Sequence, residues 1–178
     1  FLAYSNLTFN QYQYDGVKWL AKREKDILCK GGIIADEMGL GKTIMMIGNI
    51  LNNFSRSTLI VLPVVLIEQW KEQFIRTTGH VPLIYHGKNI KKSAATLRDV
   101  PIVLTTYGTL VADFKREKKL VSINWNRVIF DEAHHLRNRK TKIAKVACII
   151  KSEVKWLITG PPIQNRISDL YSLFEVLK

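Results

Sequence analysis

The stretch IIADEMGLGKT, residues 33–43, passes from strand to turn to helix within a few residues. Ile33 and Ile34 read as the end of a buried strand, and Gly39 and Gly41 give a flexible turn. Lys42 and Thr43 then open a helical pattern, with Ile44, Ile47, Gly48 and Leu51 at i, i+3, i+4 and i+7. That order suits a nucleoside triphosphate. Glycines let backbone N–H groups turn inward around phosphate oxygens, and a helix N-terminus adds unpaired donors and partial positive charge. In such a loop Lys42 reaches the β- and γ-phosphates and the Thr43 hydroxyl meets Mg²⁺. The strict G-x-x-x-x-G-K-[ST] pattern fails at its first position, where Asp36 stands. A helix that merely begins Gly-Lys-Thr is the competing reading, and the rest of the chain has to decide between them.

Outside that loop, the apolar runs follow a regular plan. Thr58–Pro63 (TLIVLP) contains a buried strand from Leu59 to Leu62, and Leu66, Trp70 and Phe74 mark a helix after it. Leu83–Tyr85, Ile102–Leu104, Val128–Phe130 and Trp156–Ile158 are further short apolar runs. Helical spacing recurs at Tyr12, Gly16, Val17, Leu20 and Ala21, at Ile143, Val146, Ala147 and Ile150 behind a Thr141 cap, and at Leu170, Leu173, Phe174 and Leu177 behind Ser168. Short continuous apolar strands alternating with helices predict an α/β domain whose mostly parallel sheet has helices on both faces. Lys42, Pro63, Thr105, Asp131 and Thr159 all fall just past strand ends, the edge where ligands bind in an open parallel sheet.

Asp131-Glu132 directly after Val-Ile-Phe is the expected companion of the loop. An aspartate there can hold Mg²⁺, usually through water, and a neighbouring glutamate can orient and deprotonate an attacking water. Taken alone, an acidic pair after a strand is most often a helix N-cap. The loop upstream reverses that preference, because phosphoryl transfer needs both parts. Gln13, early in the first helix, has an amide able to bond the N6/N7 edge of adenine in both directions; a solvated surface glutamine is the plainer reading.

Composition narrows the partners. The chain has 178 residues with 27 Lys and Arg against 15 Asp and Glu, a formal charge of +12, and a pI near 9.8. One domain with a real core is expected. The basic excess points to a polyanion, nucleic acid before membrane, unless it is only a solvated surface. Cys29 and Cys148 have no C-x-x-C spacing, no zinc template fits the histidines, and no apolar run reaches membrane length. Asn6 and Asn53 match the glycosylation pattern by chance on this reading. The chain starts at Phe1 without a methionine, and both ends are expected to be cuts inside something larger.

Together YQYDGVKWL, IIADEMGLGKTIMMI, LIVLPVVLIEQWKEQF, IVLTTYGTL, VIFDEAHHLRN and LITGPPIQNRISDLYSLFEVL resemble the first RecA-like lobe of a Swi/Snf-type, superfamily 2 helicase-like ATPase, over essentially all of residues 1–178. That family's phosphate loop begins with an acidic residue, which accounts for Asp36. The resemblance implies ATP-driven translocation on double-stranded DNA, as in chromatin remodelling or DNA repair. It implies that Gln13 reads adenine and that Asp36, Glu37, Met38, Gly39, Leu40, Gly41, Lys42 and Thr43 hold the triphosphate. Thr43 and Asp131 would share Mg²⁺, and Glu132 would activate water. Pro63, Thr105, Thr106, Tyr107, Arg137 and Asn138 would face one strand's phosphates, with Arg139, Lys140 and Lys142 as further candidates. Thr159, Gly160 and Pro161 belong to the stretch that couples nucleotide state to DNA. There the family usually reads Gly-Thr-Pro, so Pro161 implies impaired coupling or turnover with ATP binding intact. The second RecA-like lobe and its arginines do not follow Lys178, so the lobe alone is expected to turn over ATP poorly. The alternatives are a nucleotide-gated nucleic-acid-binding module without turnover and an RNA helicase lobe. Nuclear localisation follows the implied substrate.

Overall fold

The structure, a computed structural model, describes residues 10–27, 30–37, 39–54, 57–160 and 167–178. Six strands form one sheet: β1 (Gly31–Ile34), β2 (Thr58–Leu62), β3 (Leu83–Tyr85), β4 (Ile102–Thr106), β5 (Trp125–Phe130) and β6 (Ser152–Ile158). Their order is β1-β6-β5-β2-β4-β3 and every pairing is parallel. This is the α/β architecture expected from the alternation of strands and helices, and the parallel sheet that the resemblance to a RecA-like lobe implies. Among the described residues α1 (Gln11–Glu24) precedes the sheet, α2 (Lys42–Asn52), α3 (Ile67–Thr78), α4 (Ala94–Asp99), α5 (Tyr107–Arg116), α6 (Lys119–Ser122) and α7 (Lys142–Ile149) lie between its strands, and α8 (Ile167–Leu177) follows it.

The period-2 alternation of side chains explains why the strands read as unbroken apolar runs. Leu59 and Val61 of β2 join a core with Val103, Val128, Phe130, Leu110 and Leu173. Ile60 and Leu62 point the other way, to Ile47, Trp70, Phe74, Ile129 and Trp156. Helices α1, α2 and α3 cover the second face, and α4 to α8 the first. No described helix is long and apolar enough to cross a membrane.

Several local readings change. Tyr12 is 46% exposed, so the buried part of α1 is its C-terminal end, at Leu20, Ala21 and Glu24. Helix α2 lies between the sheet and α1, so Met45, Met46, Ile47, Asn49 and Ile50 are all buried, whereas Ile44 and Leu51 are half-buried. In α8 the inward residues are Leu173 and Val176, and Phe174 is 49% exposed. The Ser168 cap lies outside the described side chains. Helices α4, α5 and α6 were not apparent from spacing: α4 and α6 are short, and α5 starts with no break after β4. The signal for α5 is Thr106, whose hydroxyl accepts from the Thr109 N–H at 3.1 Å as an N-cap.

Candidate nucleotide and nucleic-acid site

Strand order divides the carboxyl edge of the sheet in two. β1, β6 and β5 end in the Gly-rich loop, Thr159 and Asp131; β2, β4 and β3 end in Pro63, Thr106 and His86.

On the first half, the loop leaves β1 at Ala35. Gly39 (φ 86°) and Gly41 (φ 80°) are left-handed, a conformation that glycine adopts without a Cβ penalty. Gly41 is the residue before α2, and a Cβ there would collide with the Gln13 amide. Gln13 is therefore brought onto the loop. Its Nε2 donates to the Leu40 carbonyl at 3.3 Å, while its Oε1 accepts from the Asn10 N–H at 3.1 Å. The Lys42 ammonium donates to the carbonyls of Asp36 (2.7 Å) and Glu37 (2.9 Å), curling into the loop it anchors. Asp36, Glu37 and Leu40 are exposed, and Lys42 and Thr43 half-exposed. Met38 lies outside the described residues. Beside the loop a cavity of about 580 Å³ is lined in part by Tyr12, Asp15, Trp19, Asp36 and Leu40.

Asp131 sits past β5 with only β6 between its strand and β1. Strands about 4.8 Å apart put the two strand ends on the order of 10 Å from each other. The Asp131 carboxylate is fixed: Oδ2 accepts from Trp70 Nε1 at 2.7 Å and Oδ1 from the Glu132 N–H at 2.8 Å. Burial pushes its pKa up, against those hydrogen bonds and the Lys42 charge, which pull it down. Such a carboxylate gains from a cation nearby. Glu132 has φ 51° and ψ 50°, left-handed for a residue with a side chain, and its Oε2 lies 3.0 Å from His134 Nδ1. The hydroxyl of Thr159, 1% exposed at the end of β6, finds no partner among the described residues. Its N–H donates to the Ile34 carbonyl at 3.0 Å, tying β6 to the strand before the loop. Gly160 is half-buried, and Pro161 lies outside the described residues. A glycine loop with a lysine, a hydroxyl at the helix start and a buried carboxylate within reach of that lysine's field fits a Mg²⁺-triphosphate.

The second half changes the reading of three residues. Thr105 is 0% exposed and its hydroxyl donates to the Tyr85 carbonyl at 2.9 Å. Thr106 is buried as the cap of α5, and Tyr107 is 5% exposed. Their side chains contact protein, so they are withdrawn as side-chain phosphate contacts. What this segment offers to solvent is the first turn of α5, at exposed Gly108 and half-exposed Thr109. Pro63 (φ −59°) ends β2 half-exposed, followed by exposed Val64 and Val65. Lys88, Lys91 and Lys92 follow β3 and are exposed. Beyond β5, Arg137 is half-buried. Asn138 is exposed, but its Oδ1 accepts from the Lys140 N–H at 3.0 Å, so it also shapes the turn into α7. Arg137 to Lys140 line a cavity of about 660 Å³ with Asp169, Tyr171 and Ser172.

Spacing missed Trp70, His134 and the inward role of Tyr107. Trp70 fits its helix as an ordinary core residue, and nothing local ties it to a carboxylate 61 positions later.

Similarity to known proteins agrees with this geometry. The family model for the SNF2-related domain matches residues 12–178. An uncharacterized ATP-dependent helicase of Schizosaccharomyces pombe is 34% identical over 96% of this chain and 19% of the relative. The DNA repair protein RAD5 of Candida albicans is 36% identical over 96% of this chain and 19% of its own length. The chain thus spans about a fifth of these relatives. A Sulfolobus solfataricus SWI2/SNF2 ATPase core solved in complex with dsDNA superposes with a TM-score of 0.83 at 30% identity, covering 98% of this chain and 37% of that one.

Proposed function

Because the chain belongs to the SNF2-related domain family, we propose that it is the ATP-binding lobe of a motor acting on double-stranded DNA, which hydrolyses ATP to ADP and phosphate once a second RecA-like lobe closes on it. The observation that carries this reading is the single sheet edge bearing both the Lys42 loop and the Asp131-Glu132 pair. In it, Gln13 reads the adenine edge, and residues 36–43 hold the phosphates through loop N–H groups and Lys42. Thr43 and Asp131 hold Mg²⁺, which when bound neutralises charge on the phosphate oxygens. Glu132, oriented by His134, takes the proton of the attacking water as its oxygen bonds to the γ-phosphorus and the bond to the bridging oxygen of ADP breaks. Duplex DNA lies across the other half of the edge, near Pro63, the start of α5 and the Lys88–Lys92 segment, with Arg137 and Asn138 alongside. Thr159, Gly160 and Pro161 form the segment that couples the two, with proline in place of the family's usual threonine at 161 weakening that coupling. A nuclear location follows from that substrate.

The test is ATP turnover, with and without duplex DNA, by the full-length protein and by this chain alone. Turnover stimulated by DNA in the full-length protein and weak in the lobe is the expected result, since arginines supplied from outside such a lobe are worth roughly 10³–10⁵ in rate. Nucleotide binding without turnover in either would favour a nucleotide-gated binding module. Preference for RNA over duplex DNA in competition would favour an RNA helicase lobe. Phosphate contacts also predict salt-sensitive, sequence-tolerant binding. The slope of log K against log[salt] should be about −0.9 for each phosphate neutralised, with scrambled duplexes overlaying, measured by fluorescence anisotropy.

A further inference from the structure

Tyr107 opens α5 immediately after β4, on the half of the edge assigned to DNA, yet its side chain ends on the other half. Between β4 and β5 lies β2, and the tyrosine spans it: its hydroxyl donates to the main-chain carbonyl of Asp131 at 2.7 Å. The ring is stacked on Phe130, with centroids 6.4 Å apart, and lies 5.2 Å from His135, which in turn lies 4.5 Å from His134. The carbonyl it holds belongs to the peptide joining the two acidic residues. The N–H of that same peptide is held by Asp131 Oδ1, and the next residue is the left-handed Glu132. A left-handed non-glycine residue persists only where its surroundings over-determine it. One constraint on it comes from α5, through the Tyr107 hydroxyl on the preceding carbonyl, and the first turn of α5 is the part of this segment exposed to solvent.

We infer that Tyr107 is a positioning residue that couples the start of α5 to the catalytic carboxylate pair by holding the Asp131–Glu132 peptide. Displacement of the first turn of α5 by a bound phosphate shifts the hydroxyl and, through it, the direction in which Glu132 presents its carboxylate. The inference rests on the DNA-dependent ATPase reading above. It assigns to that reading a direct mechanical connection between the two ligand sites. Burial and the nearby carboxylates raise the phenol pKa well above its usual value, so the hydroxyl stays a donor across the working pH range.

The experiment is steady-state ATP turnover of the full-length protein, wild type and Tyr107→Phe, titrated with a mixed-sequence DNA duplex. Phenylalanine keeps the ring packing and removes only the hydroxyl. The expected result is a DNA-saturated kcat about tenfold lower, with the KM for ATP and the Kd for duplex within about twofold of wild type. An unchanged kcat overturns the inference, as does a rise in KM or Kd by the factor lost from kcat, which would make the hydroxyl a support for binding. If wild type itself shows no response to DNA, the ATPase reading fails and takes the inference with it. A responsive wild type with an equally responsive variant sinks the inference alone. Should the variant not fold, hydrogen exchange of wild type decides. Duplex binding without nucleotide should change the protection of residues 130–136, and no change there would refute the coupling.

Discussion

Changing Lys42 to alanine in the full-length protein should lower DNA-stimulated ATP turnover by at least about a hundredfold, the scale of losing one preorganised donor to developing charge. The size of the effect follows from where the ammonium sits. It donates to the Asp36 and Glu37 carbonyls inside the loop, so it is held at the phosphate position by backbone it does not need once phosphate oxygens are there to replace those carbonyls. It is also a charge that pulls the raised Asp131 pKa back down. Alanine removes the phosphate partner and leaves Asp131 with less compensation for its burial, so nucleotide affinity should fall together with kcat. Fold should survive, because Lys42 is half-exposed and its contacts are confined to the loop. A variant with normal circular dichroism and wild-type turnover would remove Lys42 from the site and with it the phosphate-loop reading.

The reach of sequence reasoning differs between the strands and the contacts among them. All six strands were visible as apolar runs, because the central residues of strands covered on both faces are mostly apolar on both sides. Their convergence on one edge followed from position alone. The loop and the acidic pair were visible because their chemistry is carried by consecutive residues. Contacts between distant segments were not. Thr105 and Tyr107 looked like surface groups at a strand end, but one bonds the Tyr85 carbonyl and the other the Asp131 carbonyl. Burial of a polar side chain there depends on partners that the fold brings from elsewhere. Trp70 and His134, which orient Asp131 and Glu132, are invisible for the same reason. Strand β5 was read from Val128 onward because Asn126 and Arg127 interrupt the apolar run, yet the strand begins at Trp125.

Arg127 is 1% exposed in the middle of that strand, and its replacement by alanine should destabilise the lobe by about 3–5 kcal/mol. Its Nε donates to Glu24 Oε1 at 2.6 Å, Nη2 donates to the other carboxylate oxygen and, at 2.9 Å, to the Asn53 carbonyl, and Nη1 donates to the Thr58 hydroxyl at 3.3 Å. Glu24 also accepts from Asn49 (2.8 Å), Asn53 (2.7 Å) and Trp156 (2.8 Å). One carboxylate thus joins the end of α1 to α2, β5 and β6, far along α1 from Gln13. Removing the guanidinium leaves that carboxylate buried without its counter-charge. For a domain of this size a loss of that order lowers Tm by roughly 6–20 °C. The pH dependence identifies the cause. Burial raises the Glu24 pKa, but Arg127 and the other donors outweigh it, so in wild type the value is lowered from 4.5. A depressed carboxylate adds stability above its unfolded value, and that stability is lost as pH falls through the lower folded value. Without Arg127 burial dominates, the folded pKa rises above the unfolded one, and protonation relieves the strain. The stability gap between wild type and Arg127→Ala should therefore be widest near pH 7 and narrow as pH falls towards 4.5, in urea melts of the lobe at a series of pH values. A gap that stays constant over that range would mean that the loss comes from a packing void at Arg127 and that the Glu24 charge has little part in holding α1 to the sheet.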